Sequence, residues 1–142
     1  MITRTASARY EGFGKDGQGH VSTQSGALDD TPYGFGSRFE SEGGTNPEEL
    51  IAAAHAACFT MALSFALARE GLRDGTLATT AKVKLDQDGG GFKISRSDLS
   101  VDARVPGIDE ARFREIAESA KAGCPVSKLL NAEIGFDYRL NA

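Results

Sequence analysis

Residues 45–71, TNPEELIAAAHAACFTMALSFALAREG, decide the fold because they predict one long helix. Asn46 suits the N-cap and Pro47 the first helical position, and the two glutamates that follow suit the positive end of the helix dipole. Gly71 is expected to end the helix. The rest of the chain must therefore supply partners for a single dominant helix.

This helix is apolar on nearly all sides. It carries no formal charge from Leu50 to Ala68, and the length of this uncharged run is close to that of a helix that spans a bilayer. Most of the run is alanine, however, and His55, Thr60 and Ser64 interrupt it, so we expect a helix buried on most faces rather than a membrane span. In a chain of 142 residues, that much buried helix surface suggests a partner subunit.

Composition predicts one globular domain over residues 1–142. The chain is 40% hydrophobic and 25% charged, with a formal net charge of −4. It has no cluster of Lys and Arg, which argues against a nucleic acid or an anionic membrane as partner. Residues 1–14, MITRTASARYEGFG, have no apolar stretch, so we expect no secretory signal and a cytoplasmic protein whose two cysteines are thiols.

The remaining elements predict an α+β fold. The expected strands and second helix are, in chain order, the strands Ile2–Tyr10, His20–Thr23 and Tyr33–Glu40, the strands Thr80–Asp86 and Leu99–Val105, a helix over Asp109–Lys121, and a strand over Ile134–Leu140. The glycines at 89–91 indicate a hairpin loop. We therefore expect an antiparallel sheet with the long buried helix and a second helix on one face.

Two cysteines are candidates for chemistry. Cys58 lies in the middle of the long helix, where it is either a small core residue or a reactive thiol. Cys124 precedes Pro125, which is expected to begin a short helix and so to make Cys124 its N-cap. The helix dipole and the free N–H groups there favour a thiolate, so Cys124 is either an acidic thiol or a capping and packing residue.

Three polar side chains have open interpretations. His55 shares the helix face of Cys58 and can activate it, but no Asn or Asp is apparent to orient the ring, so a hydrogen-bonded core histidine is the simpler interpretation. A zinc site from His20, His55 and the two cysteines fits by residue type, but its spacing is not that of paired ligands, and we expect no metal. Glu49 suits a capping box with the N-cap asparagine.

Glu48 is the freer of the two glutamates at the helix start. Ten residues separate it from Cys58, which is roughly 15 Å along a straight helix. The two side chains therefore cannot touch within one helix. If Glu48 acts on Cys58, either the helix is broken or the glutamate comes from a second subunit.

Four motifs together resemble the osmotically inducible protein C (OsmC) family, the sister of the organic hydroperoxide resistance (Ohr) proteins. They are GTNPEEL at 44–50 continuing through AAAHAACFTMALS to residue 64, PYGF at 32–35 with RFE at 38–40, VPGID at 105–109, and KAGCPVSKLL at 121–130. The resemblance covers nearly the whole chain.

The resemblance implies an OsmC-like intertwined homodimer, with active sites at the subunit interface, that reduces organic hydroperoxides. By this likeness Cys58 is the peroxidatic cysteine, Cys124 the resolving cysteine and Glu48 the active-site glutamate. Arg38 matches the assisting arginine of the OsmC branch, whereas Lys15 stands in the loop from which the Ohr branch takes its arginine. An arginine beside Cys58 would lower the pKa of its thiol, and Glu48 would orient that guanidinium bidentately.

The expected cycle needs no metal or flavin cofactor. Cys58 is oxidised to a sulfenic acid, Cys124 condenses with it to a disulfide, and an external dithiol, lipoyl-type by the family resemblance, restores both thiols. This cycle requires the Cα atoms of the two cysteines to lie within about 7 Å. Two alternatives remain: a protein that holds a lipid-like ligand in an apolar cavity, with structural cysteines, and a redox sensor that signals through the same disulfide.

Overall fold

A computed structural model describes residues 1–142, which form two compact units, Met1–Leu50 and Ile51–Ala142. Six strands, four α-helices and one short 3-10 turn make up the chain, so the predicted α+β class is confirmed. The interpretation of residues 1–142 as one domain stays a prediction.

The first unit is a small antiparallel sheet followed by a short helix. Its strands, in the spatial order β1-β2-β3, are β1 (Ala6–Glu11), β2 (Gln18–Thr23) and β3 (Thr31–Tyr33), and helix α1 follows at Phe35–Phe39. The strand predicted over Tyr33–Glu40 is therefore wrong after Tyr33. The hydroxyl of Ser37 accepts a hydrogen bond from the N–H of Gly34 at 2.9 Å, and the N–H of Arg38 donates to the Gly34 carbonyl at 3.1 Å, which closes a helical turn.

The long helix α2 runs from Pro47 to Arg69, as the sequence predicts. The N-cap is confirmed, because Oδ1 of Asn46 accepts a hydrogen bond from the N–H of Glu49 at 2.8 Å. The capping box is not completed: the carboxylate of Glu49 accepts instead from the hydroxyl of Thr45 at 2.8 Å. Gly71 follows the helix with φ of +87°, the left-handed conformation that ends many helices.

The second unit contains most of α2 and a three-stranded sheet. Its other elements are β4 (Thr76–Asp88), β5 (Gly91–Arg104), α3 (Glu110–Gly123), α4 (Pro125–Leu129) and β6 (Glu133–Leu140), with strand order β4-β5-β6. Strands β4 and β5 form the predicted antiparallel hairpin. Strands β5 and β6 are parallel, which corrects the fully antiparallel expectation. The helical connection through α3 and α4 is long enough to carry the chain back to the end of the sheet where β5 starts.

The core of the second unit lies between its helices and one face of its sheet. Helix α2 contributes a stripe of residues spaced by four. The fully buried apolar side chains of the core include Phe59 and Leu63 on α2, Leu99, Val101 and Ala103 on β5, and Phe113 and Ala117 on α3. The ring of Phe59 packs 5.6 Å from that of Phe136 on β6. Burying each large apolar side chain stabilises the fold by about 1.5–3 kcal/mol, so this stripe fixes how α2 lies on the sheet.

The opposite side of α2 is apolar and lies at the surface of the chain. Met61 and Phe65 are each 61% exposed, and Ala57 is exposed beside them. By length and composition α2 could also cross a membrane, a test that core helices of soluble proteins pass as well, and only 22% of its most apolar stretch is buried inside the chain. One chain therefore buries a single stripe of α2, and burial on most faces would require a partner.

The N-cap of α3 provides a direct test of the fold. Oδ1 of Asp109 accepts a hydrogen bond from the N–H of Arg112 at 2.9 Å. Replacing Asp109→Ala removes that acceptor and is expected to lower the free energy of unfolding by about 1 kcal/mol, measured by urea denaturation. Asp109→Asn keeps an acceptor and should stay close to the wild type. Equal losses in both variants would contradict a capping role.

Candidate active site

The four predicted site residues form two pairs, one in each compact unit. Arg38 and Glu48 are paired in the first unit, and Cys58 and Cys124 are paired in the second. The two residues of each pair are separated in sequence, and folding brings their side chains together.

The two thiols are in direct contact. A hydrogen bond links the side chains of Cys58 on α2 and Cys124 at the junction of α3 and α4, and both cysteines are free. Cys124 is fully buried, at 0% exposure, whereas Cys58 is only partly buried. The fold therefore satisfies the requirement that α2 pack against the turn before Pro125. A reagent from solvent can reach Cys58 but not Cys124.

Cys124 is the N-cap of α4, as the sequence predicts. Its backbone is extended, with φ of −59° and ψ of 129°, and Pro125 begins the helix. The sulfur makes no full capping hydrogen bond. The backbone N–H of Val126, in the first turn of α4, still lies close enough to stabilise negative charge on either sulfur.

The two thiols differ in acidity within the single chain. Burial raises the pKa of Cys58, and the hydrogen bond with Cys124 raises it further. Burial also acts to raise the pKa of Cys124, but the hydrogen bond from Cys58 and the nearby N–H and hydroxyl of Ser127 outweigh it and leave that pKa lowered. Of the two interacting thiols, Cys124 therefore loses its proton more readily than Cys58. A cation placed beside Cys58 would favour its thiolate.

His55 is a hydrogen-bonded core histidine, the simpler of its two predicted interpretations. It is fully buried, and its Nδ1 lies 2.6 Å from Oγ of Ser97 while its Nε2 lies 2.8 Å from Oγ of Ser127. Burial lowers the pKa of His55, so the ring is neutral. Sequence reasoning missed both serines, although Ser127 stands three residues after Cys124, at the position that faces a helix N-cap.

The pair in the first unit is an ion pair with one hydrogen bond. Nε of Arg38 donates to Oε1 of Glu48 at 2.9 Å, so the expected bidentate contact is not formed. Oε2 of Glu48 is buried without a hydrogen-bond partner. The guanidinium of Arg38 also lies 5.3 Å from the ring centre of Phe39, and Lys15 lies over a different ring, that of Phe35. Glu48 therefore pairs with Arg38 and leaves one carboxylate oxygen for another donor.

Asn46 holds this ion pair in place. Besides capping α2, its Nδ2 donates to the carbonyl of Ser37 at 2.9 Å, which ties α1, with Arg38, to the start of α2, with Glu48. The approach to Asn46 also requires a glycine. Gly44 has φ of +100°, and a Cβ there would collide with the carbonyl oxygen of Pro32. The sequence identified Asn46 as a helix cap, but not as the link to α1.

The chain is similar to known proteins over nearly its whole length. Residues 40–139 match the family model described as OsmC-like protein. The chain is 52% identical over 141 residues to peroxiredoxin OsmC of Escherichia coli, with 99% of each chain covered. It is 29% identical over 123 residues to organic hydroperoxide resistance protein OhrB of Bacillus subtilis, covering 86% of this chain and 88% of OhrB. Among solved structures, an organic hydroperoxide resistance protein from Elizabethkingia anophelis superposes with a TM-score of 0.78 at 27% identity, covering 99% of this chain and 98% of that one.

The neutral histidine predicts how stability depends on pH. Because burial lowers the pKa of His55 below its ordinary value of 6.5, the unfolded chain binds more protons than the folded chain below that pH. The free energy of unfolding should therefore fall as pH decreases from 6.5 towards the folded-state pKa. Urea denaturation across this range should show a shallower fall for His55→Gln, which cannot titrate. Parallel curves for the two proteins would contradict a neutral buried His55.

Proposed function

The chain belongs to the OsmC family, and we propose from this premise how its residues carry out the reaction. It is a thiol peroxidase of stress defence, which uses a hydroperoxide as substrate and requires a reductant. We assign the chemistry to a two-cysteine cycle that reduces organic hydroperoxides to alcohols. The observation that carries this assignment is the hydrogen bond between a partly exposed Cys58 and a fully buried Cys124.

The cycle begins at Cys58 because it is the thiol that a peroxide can reach. Its thiolate attacks one peroxide oxygen, the O–O bond breaks, and the departing alkoxide takes a proton to become the alcohol. The Cys124 thiolate then attacks the sulfur of the Cys58 sulfenic acid. An S–S bond forms, the S–O bond breaks, and the departing hydroxide takes a proton to become water. A dithiol reduces the disulfide by thiol exchange and is itself oxidised.

Arg38 supplies the positive charge that Cys58 lacks, and we assign it to the partner subunit of a homodimer. Helix α2 is continuous, so Glu48 and its partner Arg38 are anchored roughly 15 Å along the helix from the Cys58 of the same chain. The exposed apolar side of α2, which carries Met61 and Phe65, supports a dimer, because a second copy of the chain would cover it. The unpaired oxygen of Glu48 supports a site completed by further donors.

Three further assignments belong to this proposal. The likeness to the family supports a lipoyl-type dithiol as the reductant, and a cycle that depends on reduced thiols suits the cytoplasm. No metal or flavin takes part in the cycle. The family model covers residues 40–139 and so extends into both compact units, which supports one OsmC-like domain over residues 1–142.

Replacing each cysteine should stop the cycle at a different step. One equivalent of an aryl hydroperoxide should convert both thiols of the reduced protein to an intramolecular Cys58–Cys124 disulfide, detected by thiol counting and non-reducing peptide mapping. Cys124→Ser should stop at a sulfenic acid on Cys58, which a 1,3-dione traps. Cys58→Ser should keep its remaining thiol, because Cys124 is buried. Survival of both wild-type thiols in excess peroxide would favour a ligand-binding protein instead.

A mixing experiment tests whether the site is shared between subunits. Arg38→Ala should lose most peroxidase activity because it removes the cation that stabilises the Cys58 thiolate, and Cys58→Ser should lose all of it. If Arg38 acts on the partner's cysteine, unfolding and refolding the two variants together creates one complete site in each mixed dimer. Activity should then recover to about a quarter of wild type.

Each variant refolded alone is the matched control for that experiment. A mixture that forms dimers, seen by sedimentation, but remains inactive would place Arg38 and Cys58 of one chain in the same site. If the protein sediments as a monomer and is fully active, the assignment of Arg38 to a partner subunit is wrong.

A further inference from the structure

A line of hydrogen bonds leads from β5 to the buried cysteine. Ser97 on β5 contacts Nδ1 of His55 at 2.6 Å, and Nε2 of His55 contacts the hydroxyl of Ser127 at 2.8 Å. Ser127 is the third residue of α4, and its hydroxyl reaches the sulfur of Cys124, the N-cap of that helix. All four side chains are buried, at 0–8% exposure. This buried polar line lies against an otherwise apolar core.

The position of one hydrogen on His55 decides what Ser127 can do. A neutral imidazole carries a single N–H, whereas a serine hydroxyl can donate or accept. When Nε2 carries the hydrogen, it donates to Ser127 Oγ, and the hydrogen of Ser127 is free to point at the sulfur of Cys124. When Nδ1 carries it, Ser127 donates to Nε2 instead, and that hydrogen is withdrawn from the sulfur. Burial keeps the ring neutral and so restricts it to these two forms.

We infer that His55 is a positioning residue for the second step of the cycle: its Nε2–H form holds the hydroxyl of Ser127 on Cys124 and thereby stabilises the thiolate that attacks the sulfenic acid. The inference rests on the proposed two-cysteine cycle and adds a role for two residues outside it. The S–S bond still forms and the S–O bond still breaks as described for the second step, and His55 neither gains nor loses a proton. Ser97 supports the arrangement by donating its own hydroxyl hydrogen to Nδ1.

Few other groups act on the charge of Cys124. From α2 it faces the thiol of Cys58, and within α4 it faces Val126 and Ser127. On α3, the charged side chain closest in sequence is Lys121, whose Nζ lies 3.5 Å from the carboxylate of Glu118. The hydroxyl of Ser127 is therefore one of the few groups that lower the pKa of Cys124, and a single substitution can remove it.

Ser127→Ala tests the role through the pH dependence of disulfide formation, followed after oxidation with saturating aryl hydroperoxide. Losing a hydrogen bond to the thiolate should move the pH profile upward by about one unit. Because a less acidic thiol is a stronger nucleophile once ionised, the rate should fall about threefold on the acid side and rise about threefold on the alkaline plateau. A variant that merely displaces Cys124 would be slower at every pH, without a shift of the profile.

Two further variants separate transmission through His55 from general damage. Ser97→Ala does not remove a contact of Cys124, but it frees the His55 tautomer, so a smaller shift in the same direction is expected. Thr60→Val is the matched control, since it removes a hydroxyl from α2, the helix that carries His55, together with its 2.6 Å contact with Thr79 on β4, and it should leave the profile in place. An unmoved profile or uniform slowing in Ser127→Ala overturns the inference.

A second measurement needs no peroxide. In a Cys58→Ser background, the ultraviolet absorbance of the thiolate reports the titration of Cys124 alone, and adding Ser127→Ala should move that curve upward. Coincident curves overturn the inference even where the peroxidase cycle holds. If the wild-type protein forms no disulfide with peroxide, the proposed function fails instead, so the two failures are distinct.

Discussion

The packing of one stripe of α2 against the second sheet is the constraint on which the site depends. Phe59 and Leu63 bury completely, and this fixes the rotation of the helix about its axis. Cys58, one residue before Phe59, is then held at the edge of the buried stripe, where its sulfur meets Cys124 and still has access to solvent. A different rotation would either bury Cys58 fully or remove it from Cys124.

The same packing forces a compromise on acidity. A site apolar enough to suit a hydrocarbon-bearing peroxide also penalises a thiolate, and burial accordingly raises the pKa of Cys58. The N–H groups at the start of α4 and the hydroxyl of Ser127 offset this penalty for Cys124. The first thiol then needs charge from elsewhere, and Arg38, prepared in its ion pair with Glu48, is the cation that we propose for it.

Accessibility and acidity therefore assign the two cysteines to different steps of the cycle. The exposed thiol meets the peroxide, and the buried thiol, more easily ionised in the single chain, waits for the sulfenic acid. This division suits a two-step cycle, because a buried thiolate cannot be oxidised directly by peroxide from solvent. The hydrogen bonds through His55 end at the buried Cys124 and therefore affect the second step.

The sequence by itself determined the long helix with its Asn46 cap, the β4–β5 hairpin, the N-cap position of Cys124 and, by resemblance, the family. These features depend on local spacing, capping chemistry and short motifs, which need no knowledge of distant residues. Tertiary structure decided the rest. The parallel pairing of β5 with β6 and the partners of His55 depend on residues far apart in the chain, and the lowered pKa of the buried Cys124 depends in part on a hydrogen bond from Cys58, which only packing brings to it.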